Sequence, residues 1–333
     1  MIGLRFWRSK PRFAFDFGTA NLRVVSSEGG LVLEEPSICC FRRDPLDPAP
    51  VAVGSTAWPM FERTPGQLHM KRPLDRGVLT DMQAARALLD HARRQIAGSR
   101  KLAGPVLFGV PSDATLVERR ALTNAAAEAG ITSVALVDEP MAAALGAGLD
   151  VAEPKGSMLV ECGAGTTEVV VISLGGISVR RTVRIGGNTL DQAIADFLHL
   201  HHKFLIGGHT AERIKLELSD RSRGEAGSTG PLTVRGRDLV TGLPGTLSLP
   251  PTAFEKVLRR HSRPIVKAVQ EALAATSAEL SCDIFEQGIT LTGGSAHNPL
   301  LADMIADATG LTATAADRND LCVSLGLQAM LLS

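Results

Sequence analysis

Two short segments carry the residue types from which a phosphate clamp can be built. The first is Phe13-Ala14-Phe15-Asp16-Phe17-Gly18-Thr19-Ala20-Asn21-Leu22-Arg23-Val24-Val25. The second is Met158-Leu159-Val160-Glu161-Cys162-Gly163-Ala164-Gly165-Thr166-Thr167-Glu168-Val169-Val170-Val171. Each reads as an apolar strand ending in an acid, a Gly/Thr turn and a second β-branched strand. A carboxylate at a strand end suits Mg²⁺ held through water, because Mg²⁺ keeps most of its hydration shell beside phosphates. Glycines let the backbone approach phosphate oxygens, and threonine hydroxyls add donors. Asp16 and Glu161 are thus the candidate metal-facing acids. Gly18, Thr19, Ala20 and Asn21 make one candidate phosphate turn; Gly163, Ala164, Gly165, Thr166 and Thr167 make the other. Taken alone, either acid also reads as the start of a tight hairpin. Their pairing favours a clamp for a nucleotide's phosphates and metal ion.

A third acid, Glu139, lies in Leu136-Val137-Asp138-Glu139-Pro140-Met141-Ala142-Ala143-Ala144-Leu145-Gly146, at a strand end before a small-residue helix. A carboxylate there can orient an attacking water. The alternative is that Asp138 and Glu139 compensate the helix N-terminus. A further glycine turn, Gly293-Gly294, closes the apolar strand Ile289–Thr292 and offers a place for a base and ribose.

The elements that must position these groups alternate. Residues 31–40 and 50–54 read as strands, 82–97 as a helix with Met82, Ala85, Leu88, Leu89, Ala92 and Ile96 on one face, and 105–111 as a buried strand. Ser112 reads as the N-cap of a helix running to about Gly130. A strand at 133–137 and a helix from Pro140 to Ala147 follow. The second half begins again at 157 with strand–turn–strand, then Val179 to Ile185, a helix from about Thr189 to Phe204, a polar Gly-rich stretch at 219–248 and a long helix at 252–276. This order predicts an α/β protein of two similar lobes, each opened by a hairpin.

Bulk properties set the boundaries. The chain has 333 residues, 44% of them apolar and 21% charged, enough for two domains with real cores. Lys plus Arg and Asp plus Glu both number 35, so no global field draws it to nucleic acid or membrane. Two Trp and no Tyr offer few base-stacking rings, and no nucleic-acid partner is expected. The five cysteines show no CxxC spacing, and adjacent Cys39 and Cys40 are a poor disulfide pair, which points to a reduced cytoplasm. His199, His201 and His202 are not spaced as a metal face.

Together these residues resemble the actin/Hsp70/sugar-kinase ATPase superfamily, and closely resemble its MreB family of bacterial actins. The likeness covers nearly the whole chain through GLVLEEPSI at 30–38, ATLVERRAL at 114–122, DEPMAAALGAG at 138–148, VRIGGNTLDQAI at 183–194, TAERIKLELS at 210–219 and LTGGSAHNPLL at 291–301. It implies an actin-like bilobal fold of two RNase H-like domains around a nucleotide cleft. Domain I would comprise 1–148 plus about 315–333, with a small insert at about 28–75; domain II would comprise 149–314, with an insert at about 188–250. Carried over by position, Asp16 and Glu161 face Mg²⁺, Glu139 orients the attacking water with Thr166 beside it, and both turns hold ATP or ADP phosphates. Glu212 and Lys215 flank the adenine, with Arg213 and Ile214 between them in the nucleotide-binding set, and Gly293, Gly294, Ser295 and Ala296 form the adenosine turn. The resemblance also implies slow Mg-dependent ATP hydrolysis coupled to assembly into homopolymeric filaments on the inner face of the cytoplasmic membrane, acting with cell-wall synthesis and cell-shape membrane proteins. A nucleotide-binding, non-hydrolysing regulator of another such filament is the first rival reading; a small-molecule kinase on the same fold is the second.

The departures cluster in the second turn. Where the family usually has Asp and three consecutive glycines, this chain has Glu161 and Gly163-Ala164-Gly165. The longer acid is expected to push its carboxylate toward the metal or displace a water. Ala164 is expected to carry strain of about 1 kcal/mol if that position needs positive φ. Ser295 replaces the usual third glycine of the adenosine turn. At the N-terminus, Ile2, Leu4, Phe6 and Trp7 interleave with Arg5, Arg8 and Lys10, which suits an anchor lying in anionic headgroups. No apolar run is long enough to span a bilayer.

Overall fold

The strand pattern of the first half recurs in the second. The computed structural model describes residues 11–44, 46–98, 100–102, 104–224 and 230–333, so the expected N-terminal anchor, Ile2 to Trp7, lies outside the described residues. The first half runs β1 (Phe13–Phe17), β2 (Asn21–Ser26), β3 (Gly30–Pro36), β4 (Cys39–Arg42), β5 (Pro50–Val53), β6 (Leu68–Lys71), β7 (Leu74–Asp75), β8 (Val78–Leu79), α1 (Met82–Ala97), β9 (Val106–Val110), α2 (Leu116–Glu128), β10 (Val134–Asp138) and α3 (Glu139–Gly146). The second runs β11 (Ser157–Cys162), β12 (Thr167–Ser173), β13 (Gly176–Val183), α4 (Gly187–His202), β14 (Phe204–Leu205), α5 (Gly208–Ser222), β15 (Leu232–Asp238), β16 (Pro244–Leu249), α6 (Glu255–Ala274), α7 (Ala278–Gln287), β17 (Ile289–Thr292), α8 (Pro299–Thr309), β18 (Ala313–Ala315) and α9 (Cys322–Leu332).

Two five-stranded sheets form, ordered β10-β9-β1-β2-β3 and β13-β12-β11-β17-β18. In each, an antiparallel hairpin of three strands is extended by two parallel ones. Asp16 pairs across its hairpin with Arg23, and Glu161 pairs with Glu168. Smaller three-stranded sheets, β5-β4-β6 and β14-β15-β16, branch from the two halves.

The cores follow from alternation and helical periodicity. On α1, Ala85, Leu88, Leu89 and Ala92 are buried against Phe15, Phe108 and Val106, while Met82 stays 38% exposed. Fully burying Leu88 and Leu89 stabilises by about 1.5–3 kcal/mol each, the alanines less. A separate core joins the sheets: Ala14 and Leu107 of the first and Leu159 and Val170 of the second meet Met141, Ala142, Leu327 and Met330 from α3 and α9. Small residues make that joint possible. A Cβ on Gly146 would collide with the Cys322 carbonyl, and one on Gly326 with that of Ala142. So α9 returns to pack on α3, β1 and β2.

The cap of α2 differs from expectation. Thr115 holds it through a capping box, its hydroxyl accepting from the Glu118 N–H and Glu118 accepting from the Thr115 N–H. Ser112 instead donates its hydroxyl and N–H to Glu168 of the other half. A buried carboxylate competes better for that hydroxyl than a helix end three residues away. Likewise 31–40 divides at Ser37, whose N–H donates to Ala20 rather than continuing the ladder. All five cysteines are free thiols.

Candidate functional site

The two hairpin turns open onto one cleft of about 350 Å³. The β1–β2 turn is closed by the Gly18 N–H donating to Asn21 (3.0 Å), and the β11–β12 turn by Gly163 donating to Thr166 (2.9 Å). Ser37 fixes the first turn, its N–H and hydroxyl donating to Ala20 and Gly18, each at 2.7 Å. The second turn is fixed by Gly187 and Asn188 N–H groups donating to Gly163 (3.1 Å) and Ala164 (2.9 Å), and by the Ser295 hydroxyl donating to Gly163 (3.1 Å). The turns nearly touch: a Cβ on Gly165 would lie 2.6 Å from Thr19 Oγ1 and 2.9 Å from the Gly77 nitrogen. Gly77 donates its N–H to Thr19 Oγ1 (3.1 Å), so the β7–β8 turn closes this end.

Asp16, Glu139 and Glu161 all line the cleft, and among the described residues none of them forms an ion pair. Burial raises the Asp16 carboxyl above its usual range, against a hydrogen bond from Ser324 (2.7 Å) and the Arg23 charge. Burial, then the charges of Asp16 and Glu161, raises Glu139 well above it. Burial, then Glu168 and Asp16, does the same to Glu161. Desolvated carboxylates with mutually raised pKa values gain strongly from a cation. Among the described residues no three His, Cys, Asp or Glu are arranged to grip a metal directly. Desolvated carboxylates beside two phosphate-sized turns are a donor set that fits Mg²⁺ held through its water shell.

Local detail explains how each acid is presented. Gly109 on β9 makes room for Glu139, since a Cβ there would lie 3.1 Å from Glu139 Cγ. Glu161 folds back over its own turn, its oxygens 3.5 and 3.6 Å from where a Cβ on Gly163 would sit. Ala164 is not among the residues with positive φ, so the strain expected there is absent.

The far end of the cleft is lined by Glu212 and Lys215 of α5 and by Gly293, Gly294 and Ser295. Lys215 pairs with Asp191 (2.9 Å). Gly293 has φ +83°, and a Cβ there would strike the Cys162 carbonyl; Asn319 locks the turn by exchanging bonds with it at 2.7 and 3.0 Å. Four of the expected residues do not line the cleft. Helical periodicity leaves Arg213 exposed and sends Ile214 into the core with Leu190 and Phe254. Thr167 is fully buried and donates to Ile185 (2.8 Å), and Ala296 is buried beneath its turn. Leu216, on the same face of α5 as Glu212, lines it instead. Behind the site lies Glu168, an acid that sequence reasoning passed over; burial pushes it up to about 7 against its bonds from Ser112. Its signal was a lone charge in the run Val169-Val170-Val171.

Comparison with known proteins agrees with this geometry. The family model for MreB/Mbl protein matches residues 10–333. The chain is 41% identical to the cell shape-determining protein MreB of Escherichia coli (strain K12) over 317 residues, 94% of this chain and 91% of that one. It is 35% identical to the cell shape-determining protein Mbl of Bacillus subtilis (strain 168), over 95% of this chain and 94% of that one. Among solved structures, MreB5 of Spiroplasma citri bound to ADP superposes with a TM-score of 0.88 at 33% identity, covering 96% and 95% of the two chains. The MamK double helical filament, at 20% identity and TM-score 0.77, shares the fold. A match over nearly its whole length, on an actin-like bilobal α/β fold, makes this chain a member of the MreB/Mbl family.

Proposed function

We propose that this chain is an ATP-binding actin homologue that assembles into filaments on the cytoplasmic membrane and organises cell-wall synthesis and cell shape. One observation carries the nucleotide reading: two Gly/Thr turns and the acids Asp16, Glu139 and Glu161 converge on a single cleft. The MreB5 structures bound to ADP and to AMPPNP, at 33% identity, support it. Residues 18–21 and 163–166 would bind the phosphates, while Asp16 and Glu161 would hold the waters of Mg²⁺. The bound ion would neutralise charge on the phosphates. Glu212, Lys215 and Gly293 to Ser295 would hold the nucleoside. Glu139 would orient the attacking water and accept its proton. Its burial among other acids makes its ionisation sensitive to nearby positive charge, so loading of the cleft and readiness of the base are coupled.

The family's cell shape-determining members and the filament-forming MamK fold support assembly and the cell-shape role. Membrane attachment would rest on the N-terminal segment, whose apolar Ile2, Leu4, Phe6 and Trp7 interleave with Arg5, Arg8 and Lys10; no helix among the described residues is long and apolar enough to cross a bilayer. Phosphate release measured beside pelleting in ATP and in ADP tests the whole reading. Filaments with turnover that Glu139→Ala abolishes are expected. Nucleotide binding without turnover or self-assembly would replace it with a regulator of another filament. Turnover that requires an added acceptor would replace it with a kinase.

A further inference from the structure

Beside the cleft, the segment that follows β5 meets the start of α5 through a contact that the phosphate turns do not use. Trp58 and Phe61 follow β5, their rings stacked at 5.9 Å. Glu62 comes next, with φ +58°, an unfavourable conformation for a residue with a long side chain. Its carboxylate accepts the N–H of Gly208, the first residue of α5, at 2.7 Å. The His209 ring stands edge-on to Trp58 (4.4 Å) and Phe61 (5.5 Å). The Arg72 guanidinium covers the other side, 5.6 and 5.2 Å from the same two rings, and interacts with the charges of Glu212, Asp191 and Glu62.

The receiving backbone is shaped for this contact. A Cβ on Gly207 would collide with the Glu62 carboxylate, and one on Gly208 would lie 3.1 Å from the Phe61 ring. Both sides then lead directly to the nucleotide cleft. Helix α5 starts at the contact and presents Glu212 and Lys215 to the cleft over its next two turns. On the other side, Ser37, two residues before β4, ties the small sheet of β4 and β5 to the carbonyls of Gly18 and Ala20 in the first turn. A second cavity, lined by Trp58, Phe61, Glu62, Arg72, Asp191 and Glu212, lies between the contact and the cleft and shares Asn21 and Glu212 with it.

We propose that Glu62, Trp58 and Phe61 from one half, with Gly208 and His209 from the other, form a latch that holds the cleft closed over bound nucleotide and sets how fast nucleotide leaves. This rests on the nucleotide reading above. The latch works through rigid helix α5: opening it carries Glu212 and Lys215 away from the first phosphate turn.

The test is dissociation of a fluorescent ATP analogue from the full chain, kept dilute enough to stay unassembled and chased with excess ATP. Glu62→Ala removes the charge-assisted hydrogen bond and is expected to speed dissociation about tenfold or more. Gly207→Ala leaves Glu62 in place but blocks its seat, and its φ of −92° accepts alanine; the same acceleration is expected. The double variant should be no faster than the faster single one, because both break the same contact. Unchanged rates in both single variants, or effects that multiply in the double, would overturn the latch. So would acceleration accompanied by a large drop in the melting temperature of the nucleotide-free protein. A wild-type chain that binds no analogue would overturn the nucleotide reading itself, and the latch with it.

Discussion

Replacing Glu168 with Gln should remove a pH dependence of stability that the buried carboxyl imposes. Glu168 is fully buried on β12, accepts the Ser112 N–H at 3.0 and 3.3 Å, and faces the charges of Asp113 and Asp138. Burial raises its pKa from 4.5 to about 7. Below pH 4.5 the side chain is protonated in folded and unfolded chains alike. Between there and about 7 the folded protein retains a proton the unfolded chain has released, so stability falls as pH rises, and above 7 the contribution is gone. At about 1.4 kcal/mol per unit, the shift corresponds to roughly 3 kcal/mol. For a chain of this size that is roughly 4 to 5 °C in melting temperature. Gln cannot titrate but still accepts from Ser112. Melting of nucleotide-free wild type and Glu168→Gln at pH 5, 6, 7 and 8 should therefore show the wild type losing about 4 °C relative to the variant across the series, the first part of the shift lying below pH 5. The other raised acids, Asp16, Glu139 and Glu161, tilt both curves the same way, and because the Glu168 charge helps to raise Glu139 and Glu161, its removal adds to the difference in the same sense. Parallel curves would refute the reasoning.

Three further outcomes follow from single contacts. Gly326→Ala places a Cβ against the Ala142 backbone and should destabilise by about 3 kcal/mol or more, read by denaturation, whereas the same change at exposed Gly66, where a Cβ meets nothing within 4 Å, should leave stability nearly unchanged. Ser295→Ala removes the bond to Gly163 (3.1 Å) and should weaken nucleotide affinity about fivefold with the melting temperature of the nucleotide-free protein little changed, read by titration calorimetry. Deleting residues 1–10 should abolish flotation with anionic liposomes; undiminished flotation would exclude that segment as the anchor.

Much of the architecture was legible because strong local patterns agree with the tertiary structure. The hairpins at 13–25 and 158–171 have apolar alternation, glycine turns and β-branched strands that all favour the same outcome, and both formed. Helix α1 spans the expected 82–97, since its apolar face and its Asp81 cap agree. What could not be read were choices decided by distant partners. Ser112 has the chemistry of a cap, but Glu168, 56 residues on, claims it. Within the expected set 212–215, only Glu212 and Lys215 line the cleft, a distinction set by which face of α5 the second lobe buries. The Ser324 bond to Asp16 joins residues 308 apart, and no local signal marks it. The contact of Glu62 with Gly208 is of the same kind: a polar residue in a loop acquires meaning only when the start of α5 is brought against it.

The central claim is that the paired hairpins form one phosphate clamp with unequal acids. A crystal structure of the chain with Mg²⁺ and a non-hydrolysable ATP analogue tests it most directly. The phosphates should lie between residues 18–21 and 163–166, with Asp16 and Glu161 both directed at the metal's water shell and Glu139 beside the terminal phosphate. Phosphates seated away from either turn, or Glu161 still folded over Gly163 with the metal beyond its reach, would contradict it.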